Sequence, residues 1–386
     1  MRNVYLDNNA TTQVAPEVVE AMLPFFHDRW GNPSSMHAFG GSVAGHVREA
    51  REKTAALIGA DPSEIVFTSC GTESDNTAIH SAVQTAQHPI RIVTSRVEHP
   101  AVLAPCRRLR ERGYAVIEIG VDSQGRLDID ALKREIAGGK CFVTIMWANN
   151  ETGVIFPIRE IAEAVKAAGG IIHTDAVQAV GKVPVDVRDT PVDMLSFSGH
   201  KLHAPKGIGV LYIRKGTPFT PLLLGGHQEN NRRAGTENVP YIVGLGKACE
   251  LAARDMQEGV SARMARLRDR LEEGLLRSCP DSRVNGDRRM RLPNTSNISF
   301  EYIEGEAILY HLSDVGIAAS SGSACTSGSL EPSHVIRAMG VPFTAAHGSI
   351  RFSLSRYTTD DDIEYTLVQL PPIVRKLRAL SPFVKE

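Results

Sequence analysis

Short β-rich runs alternate with amphipathic helical patterns through the first two thirds of this 386-residue chain. The clearest β-rich runs lie at 65–68, 91–95 and 194–198, and helical patterns such as 72–86 and 158–168 fall between several of them. Alternation at this spacing is typical of βαβ units. The sequence therefore predicts an α/β fold, with a large domain whose mainly parallel sheet is flanked by helices.

The pattern changes beyond the middle of the chain. A long helical stretch at about 241–277 is followed by shorter strand-like and helical segments. We therefore expect a large domain over 13–260 and a smaller C-terminal α+β domain over 261–386. Residues 1–12 are too few to form a domain, and we expect them to join the smaller one.

The charge and cysteine content exclude several classes of protein. Lys and Arg number 43 and Asp and Glu number 44, so the formal net charge is −1, without the basic excess of a nucleic-acid or membrane-surface binder. No apolar run is long enough to span a membrane, and the N-terminus has no apolar signal core. Six dispersed cysteines without a CxxC pair predict a cytoplasmic protein with reduced thiols.

Three polar motifs follow predicted strands, at the sheet edge where α/β proteins bind ligands. In the first, a strand runs into a helix through Gly71 and Thr72. The N–H groups at the start of such a helix, with a hydroxyl beside them, suit a phosphate group. An ordinary helix N-cap would have the same composition, so this motif alone leaves both interpretations open.

The other two motifs carry an acid and a lysine. Asp175 follows an apolar run, as a helix N-cap does, but a carboxylate there can also hold the protonated ring nitrogen of pyridoxal phosphate. Lys201 lies in a turn rich in Ser, Gly and His, although most loop lysines are simply solvated. A lysine that loses its proton in a buried site can form a Schiff base. Together, the three motifs in this order indicate a cofactor site.

Cys325 has unusual neighbours. It lies in ASSGSACTSGS (319–329), where Gly and Ser dominate and no large apolar residue occurs before Leu330. This composition predicts an exposed, mobile loop, on which a thiolate is accessible as a nucleophile. The other cysteines are predicted to be buried small hydrophobic residues, although Cys70 borders the phosphate turn. They are Cys70, Cys106, Cys141, Cys249 and Cys279.

Over nearly its whole length the chain resembles the cysteine desulfurases of the NifS/IscS group, within the class V, fold-type I pyridoxal-phosphate enzymes. The matching stretches are YLDNNATT (5–12), GNPSS (31–35), EHP (98–100), MWANNETG (146–153), GHKLHAPKG (199–207), RAGTEN (233–238) and SSGSACTSGSLEPSHV (320–335). Three of these stretches, MWANNETG, GHKLHAPKG and the one around Cys325, resemble the nitrogen-fixation type NifS more than the housekeeping type. The resemblance implies a fold-type I transferase with pyridoxal 5'-phosphate as its cofactor.

The resemblance also implies a role for each matched residue. Lys201 would carry the cofactor, Asp175 would pair with its ring nitrogen, and His99 would stack on the ring and move protons. Arg351, not the nearby Arg356, would bind the substrate carboxylate. The remaining implied contacts are Asn150 and Gln178 at the phenolic oxygen, with Asn150 also near the substrate, and Gly71, Thr72, Ser198, His200 and, from a second subunit, Thr236 at the phosphate.

The activity implied is removal of sulfur from L-cysteine, which yields L-alanine and a persulfide on Cys325. The persulfide would supply an iron–sulfur scaffold protein, here one that serves nitrogenase, and the Thr236 contact implies a homodimer. Whether Cys325 is also a transient iron–sulfur ligand through its persulfide stays open. A different pyridoxal-phosphate reaction would not need this thiol, and a non-catalytic sulfur carrier would not need Lys201, Asp175 and His99 together.

Overall fold

A seven-stranded sheet is the centre of the computed structural model, which describes residues 2–86, 88–321 and 332–382. In chain order the strands of these residues are β1 (Val4–Tyr5), β2 (Ile65–Thr68), β3 (Arg91–Ser95), β4 (Val116–Ile119), β5 (Cys141–Thr144), β6 (Ile171–Asp175), β7 (Met194–Ser198), β8 (Gly209–Ile213), β9 (Ser282–Val284), β10 (Thr295–Phe300), β11 (Ile317–Ala318) and β12 (Ser349–Ser353).

The helices of the same residues are α1 (Pro16–Met22), α2 (Pro24–His27), α3 (Ala38–Leu57), α4 (Gly71–Thr85), α5 (Pro100–Glu111), α6 (Ile129–Ile136), α7 (Ile158–Ala167), α8 (Gln228–Asn231), α9 (Val239–Gln257), α10 (Val260–Ser278), α11 (Gly305–Asp314), α12 (His334–Ala338), α13 (Phe343–Ala346) and α14 (Asp360–Ala379). Two short 3-10 turns occur at Pro62–Glu64 and Gly199–Lys201. No helix of the described residues is long and apolar enough to cross a membrane.

The central sheet has the strand order β2-β8-β7-β6-β5-β3-β4. The strands from β3 to β7 pair in parallel, while β8 is antiparallel to both of its neighbours. The mainly parallel α/β sheet predicted from the sequence is therefore confirmed. Its inner strands are buried along their length, as expected for a sheet with helices on both faces.

Two predicted helices are each divided in two. The helical pattern of 241–277 forms α9 and α10, because Gly259 between them adopts a left-handed φ of 75° that ends one helix and begins the next. Residues 17–30, whose amphipathic pattern also predicts one helix, contribute to α1 and to the single turn α2, which begins at Pro24. Proline lacks the backbone N–H that would continue the preceding helix.

A second apolar core lies around a three-stranded antiparallel sheet, β12-β10-β9. Leu271, Ile298 and Phe352 are buried in it together with Leu6 from the N-terminus. The N-terminal strand β1 pairs in parallel with β11. The division of the chain into domains at residue 260 stays a prediction, although the break between α9 and α10 falls there.

Candidate active site

A cavity of about 340 Å³ opens where β6, β7 and the start of α4 meet. It brings together residues from both halves of the chain, from Asn9 to Arg351. The residues predicted from sequence that line it are Gly71, Thr72, His99, Asn150, Asp175, Gln178, Ser198, His200, Lys201 and Arg351. Residues separated by more than 250 positions thus form one site.

One end of the cavity suits a phosphate group. The N-cap of α4 is Cys70, whose side chain accepts no hydrogen bond from the first turn of the helix. The hydroxyl of Ser198 is buried beside this helix end, and no described residue forms a hydrogen bond with it. A Cβ at Gly71 would lie 2.8 Å from the Val177 side chain, so only glycine leaves this space open. Backbone N–H groups and an unpartnered hydroxyl are the donors that a phosphate group accepts.

Asp175 ends β6 at the floor of the cavity. Its Oδ1 accepts a hydrogen bond from the Val177 N–H at 2.9 Å, so the residue caps a turn and lines the cavity at once. Burial raises the pKa of Asp175 to about 6, opposed by this hydrogen bond and by the charge of Lys201. A cationic ring nitrogen beside Asp175 would favour its ionised form.

A second carboxyl, Asp75 on α4, lies at the same end of the cavity. It is 1% exposed, and its Oδ1 has no hydrogen-bond partner among the described residues, with His173 Nε2 3.6 Å away. Burial, and then the charge of Asp175, raises the pKa of Asp75 well above its usual value. Two close carboxyls in an apolar setting do not both ionise, so Asp75 is the neutral member when Asp175 carries the charge.

Lys201 ends the 3-10 turn that follows β7. Its Nζ donates to the backbone oxygens of Asn9 and Ala10, at 2.6 Å for Ala10. The turn is tied to the N-terminal segment, because the Thr12 N–H donates to the His200 oxygen at 3.0 Å. This contact places the amine at the cavity rather than in solvent.

His99 is the N-cap of α5. Its Nδ1 accepts a hydrogen bond from the Ala101 N–H at 3.1 Å, so a neutral ring carries its hydrogen on Nε2. Burial, followed by the charges of Lys201 and His334, lowers the pKa of His99 to about 4. The ring is therefore neutral at pH 7, able to stack on a flat cofactor and to donate from Nε2.

Arg351 on β12 is 2% exposed. Its guanidinium donates to Asp7 Oδ1 at 2.7 Å and to the Asn150 backbone oxygen at 3.0 Å, while its buried Nε has no partner in the part of the chain that the structure describes. Arg356 is placed differently, because it pairs with Asp255 at 2.9 Å outside this cavity. The geometry thus separates the two arginines, and it leaves an unused donor on the one that lines the cavity.

One predicted site residue is not at this cavity, and another lies outside the described residues. Thr236 is exposed and lies outside the lining. Cys325 falls within 322–331, outside the described residues. Cys106, Cys141, Cys249 and Cys279 are buried, and Cys70 is partly buried at the cavity.

The cavity also holds residues that sequence reasoning missed. They are Asn9, Asp75, Glu151 and His334 among others. His334 Nε2 lies 2.9 Å from the Glu98 backbone oxygen, and Ser333 Oγ donates to Glu151. The stretches containing Asn9, Glu151 and His334 were available as motifs, but nothing local indicated their direction. Asp75 had no distinguishing signal, because an acid on a helix is usually solvated.

Pyridoxal phosphate fits these residues. Lys201 supplies an amine for covalent attachment, and Asp175 supplies a carboxylate at the floor. The unpartnered Ser198 hydroxyl and the open first turn of α4 supply donors for the phosphate. The neutral His99 ring supplies an aromatic face.

The sequence profile of the aminotransferase class V family matches residues 4–366. A cysteine desulfurase of Nostoc sp. is 60% identical over 383 residues, covering 99% of this chain and 96% of its own. The cysteine desulfurase NifS of Azotobacter vinelandii is 57% identical over 384 residues, covering 99% and 95%. A solved NifS-like protein superimposes with a TM-score of 0.91 at 39% identity, covering 97% of this chain and 100% of that one.

Proposed function

The chain belongs to the aminotransferase class V family, and from this premise and the cavity we propose that it is a pyridoxal-phosphate-dependent cysteine desulfurase. It converts L-cysteine to L-alanine and transfers the sulfur atom to Cys325. The Cβ–Sγ bond of the substrate breaks, an S–S bond forms on Cys325, and the protons of the two thiols end on alanine and the persulfide. The atoms balance without a further reactant.

The observation that carries the role of Cys325 concerns the residues on either side of 322–331. Ser320 and Arg351 exchange two backbone hydrogen bonds, of 3.2 and 2.6 Å, beside the cavity. His334, on the other side, lines the cavity. Cys325 follows Ser320 by five positions, and a chain of that length spans at most about 18 Å. This short connection to the edge of the cavity supports the proposal that Cys325 reaches a bound substrate.

The bound cofactor supplies an electron sink that acidifies the α-proton of an attached amino acid. The residues of this chain supply the rest. Arg351 orients the substrate through its carboxylate, and its buried Nε is available for that contact. Lys201 accepts the α-proton at Nζ and returns it. His99 donates from Nε2, because its Nδ1 is occupied by the Ala101 N–H.

Substrate binding changes the surroundings of Arg351. Its present partners are the Asp7 carboxylate and a backbone oxygen. A substrate carboxylate adds a second anion beside Asp7, so binding requires the guanidinium to serve both. This arrangement favours amines that carry a carboxylate over amines that lack one.

The same proposal covers the assembly and destination of the sulfur. Thr236 is exposed in a single chain, which agrees with a contribution to the cofactor site of a partner subunit in a homodimer. The acceptor of the persulfide sulfur is an iron–sulfur scaffold protein, here one that serves nitrogenase, in the cytoplasm.

Mass spectrometry of the protein after incubation with L-cysteine tests the sulfur transfer. We expect the peptide with Cys325 to gain the mass of one sulfur atom and alanine to accumulate. Cys325→Ser should keep the yellow cofactor and lose both signals. A matched control, Cys279→Ser, changes a buried thiol remote from the cavity and should leave both signals intact. Sulfur found on another cysteine, or alanine formed by Cys325→Ser at the wild-type rate, would refute the role of Cys325.

A further inference from the structure

Lys182 is a buried lysine to which no step above gives a role. It is 8% exposed and follows Gly181 in the turn after β6. Its Nζ donates to Gln178 Oε1 at 2.8 Å. Among the described residues no carboxylate lies within ion-pair distance of it. A buried lysine with an amide as its partner differs from the usual lysine, which is solvated or paired with an acid.

This hydrogen bond fixes the direction of the Gln178 amide. A lysine ammonium only donates, so the atom facing it must be the amide oxygen. The amide nitrogen then points the other way, where Nε2 donates to the Asn9 backbone oxygen at 3.0 Å. That same oxygen accepts from Lys201 Nζ. One Nε2 hydrogen is thereby used, and the second is available to the cavity that Gln178 lines.

The Asn9 oxygen, in the N-terminal segment, accepts from Gln178 Nε2 and also from Lys201 Nζ. Attachment of Lys201 to a cofactor would remove that second contact. Lys182 lies on the same turn as Gln178, four residues later, so its hold on Oε1 does not depend on that segment. An oxygen acceptor in the cavity is then met by N–H rather than by a repelling carbonyl.

The groups around Lys182 are mostly cationic. Lys201 in the 3-10 turn and Arg351 on β12 add to burial in lowering the pKa of Lys182 to about 7. A small cavity of about 40 Å³ behind Lys201 is lined by Lys182, by Asp255 of α9 and by Arg356. Asp255 is engaged by Arg356 at 2.9 Å, so its charge is largely compensated. His203 lines the same space, and burial, with Arg356 and Lys182, lowers its pKa.

We propose that Lys182 is a positioning residue, which holds the Gln178 amide with a hydrogen of Nε2 directed at the ring oxygen of bound pyridoxal phosphate. It acts through Gln178 and does not touch the reacting atoms. The proposal rests on the cofactor site of the proposed function but not on the cysteine chemistry.

A double-mutant cycle tests this role. Lys182→Met keeps the length of the side chain and removes the donor, and Gln178→Met removes the group that it positions. We expect each single variant to bind pyridoxal phosphate about tenfold more weakly, measured by titrating the apo protein. The visible absorption band should shift its pH midpoint in both. If Lys182 acts through Gln178, the double variant loses no more than Gln178→Met alone.

Two further variants separate positioning from folding. Lys182→Arg retains a donor and should restore part of the affinity and the pH midpoint. Lys215→Met, at an exposed lysine, is the matched control and should change neither. Urea unfolding of apo Lys182→Met should show stability equal to or above wild type, because a buried cation without an acidic partner is removed. If Lys182→Met does not fold, the comparison of Lys182→Arg with wild type carries the test.

Losses that add in the double variant would overturn the proposal, as would wild-type affinity and absorption in Lys182→Met. Failure of the wild-type protein to bind pyridoxal phosphate would instead overturn the cofactor site itself. The two failures are therefore distinguishable within one set of titrations.

Discussion

Two groups of buried carboxyls in this protein have opposite surroundings. The carboxyl cluster beside the cofactor cavity consists of Asp75, Glu98 and Asp175, all nearly inaccessible. Burial raises the pKa of each of them. Among the described residues, no cationic side chain donates a hydrogen bond to any of the three carboxyls. Asp75 Oδ1 and Glu98 Oε2 have no hydrogen-bond partner in the part of the chain that is described.

The Glu272 cluster, in the C-terminal part, consists of Glu272, Arg288 and Arg291. Arg291 binds both oxygens of Glu272, at 2.5 and 3.0 Å, and Arg288 adds a contact of 2.9 Å. The Ser296 hydroxyl adds another at 2.6 Å. Burial works against ionisation here too, but the hydrogen bonds and charge of Arg291 outweigh it and lower the pKa of Glu272.

The two clusters therefore have different roles: the buried charges of one stabilise the fold, and those of the other lie at a ligand site. Removing Glu272 or Arg291 takes away the main partner of a buried charge, so this pair stabilises the folded chain. Burial of the carboxyl cluster costs free energy in the folded apo protein, and at Asp175, which lines the cavity, a cationic ring nitrogen of a bound cofactor would offset that cost. Four substitutions test whether the two clusters have these separate roles.

The largest effect is expected at the cofactor cavity. Lys201→Ala should lose the visible band of covalently held cofactor and reduce alanine formation from L-cysteine by about 10²–10⁴-fold, since attachment and proton transfer are both lost. Absorption spectra and product assays measure the two losses. Unfolding by urea should be little changed. A large loss of stability would show that Lys201 also supports the fold.

Glu272→Ala should lower the stability of the folded protein and leave the cofactor cavity unchanged. It leaves the buried Arg291 with Asp269, at 3.1 Å, as its remaining carboxylate, and we expect the free energy of unfolding to fall by about 3 kcal/mol. Urea unfolding followed by circular dichroism measures this. The neighbouring exposed Glu273→Ala is the control and should have a small effect. Cofactor absorption in the folded Glu272→Ala protein should match wild type. A shifted absorption band would show that the Glu272 cluster also affects the cofactor cavity.

Glu98 should make the apo protein less stable as the pH rises. Burial raises the pKa of Glu98 from 4.5 to about 8, so the folded state keeps a proton that the unfolded state releases. The stabilisation is fully present below pH 4.5 and is lost as the pH rises to about 8, by up to about 1.4 kcal/mol per pH unit.

Glu98→Gln should remove this contribution to the pH dependence. Its amide oxygen can still accept from Ser95 and from the Met146 N–H, as Glu98 Oε1 does. Urea unfolding of both apo proteins between about pH 5 and 8 measures the difference. Parallel pH profiles would mean that Glu98 is ionised in the folded protein.

The smallest effect is expected for Ser198→Ala. The Ser198 hydroxyl has no partner in the described residues, so its loss should leave the apo protein as stable as before or slightly more so. Binding of pyridoxal phosphate should weaken about tenfold, because the hydroxyl is then missing as a phosphate donor. Lower apo stability together with unchanged affinity would assign Ser198 to the fold.

Much of the site was predictable because it is local. Gly71, Asp175 and Lys201 follow predicted strands, and the structure places all three at one edge of the sheet, as the rule for parallel strands requires. Helix ends were less predictable. The break at Gly259 depends on a single residue in a left-handed conformation, which a helical pattern on both sides conceals.

The amino-acid sequence was enough to predict the chemical groups, the alternation of strands and helices, and the turns that carry Gly71, Asp175 and Lys201. These features follow from periodicity and from neighbouring residues. Three contacts are visible only in the folded chain: Asp7 pairs with Arg351, Asp75 lies beside Asp175, and the buried Lys182 donates to Gln178. Such contacts depend on how elements pack across the whole chain and on which polar atoms are removed from water. Neither the packing of distant elements nor the burial of a polar atom can be inferred from a short stretch of sequence.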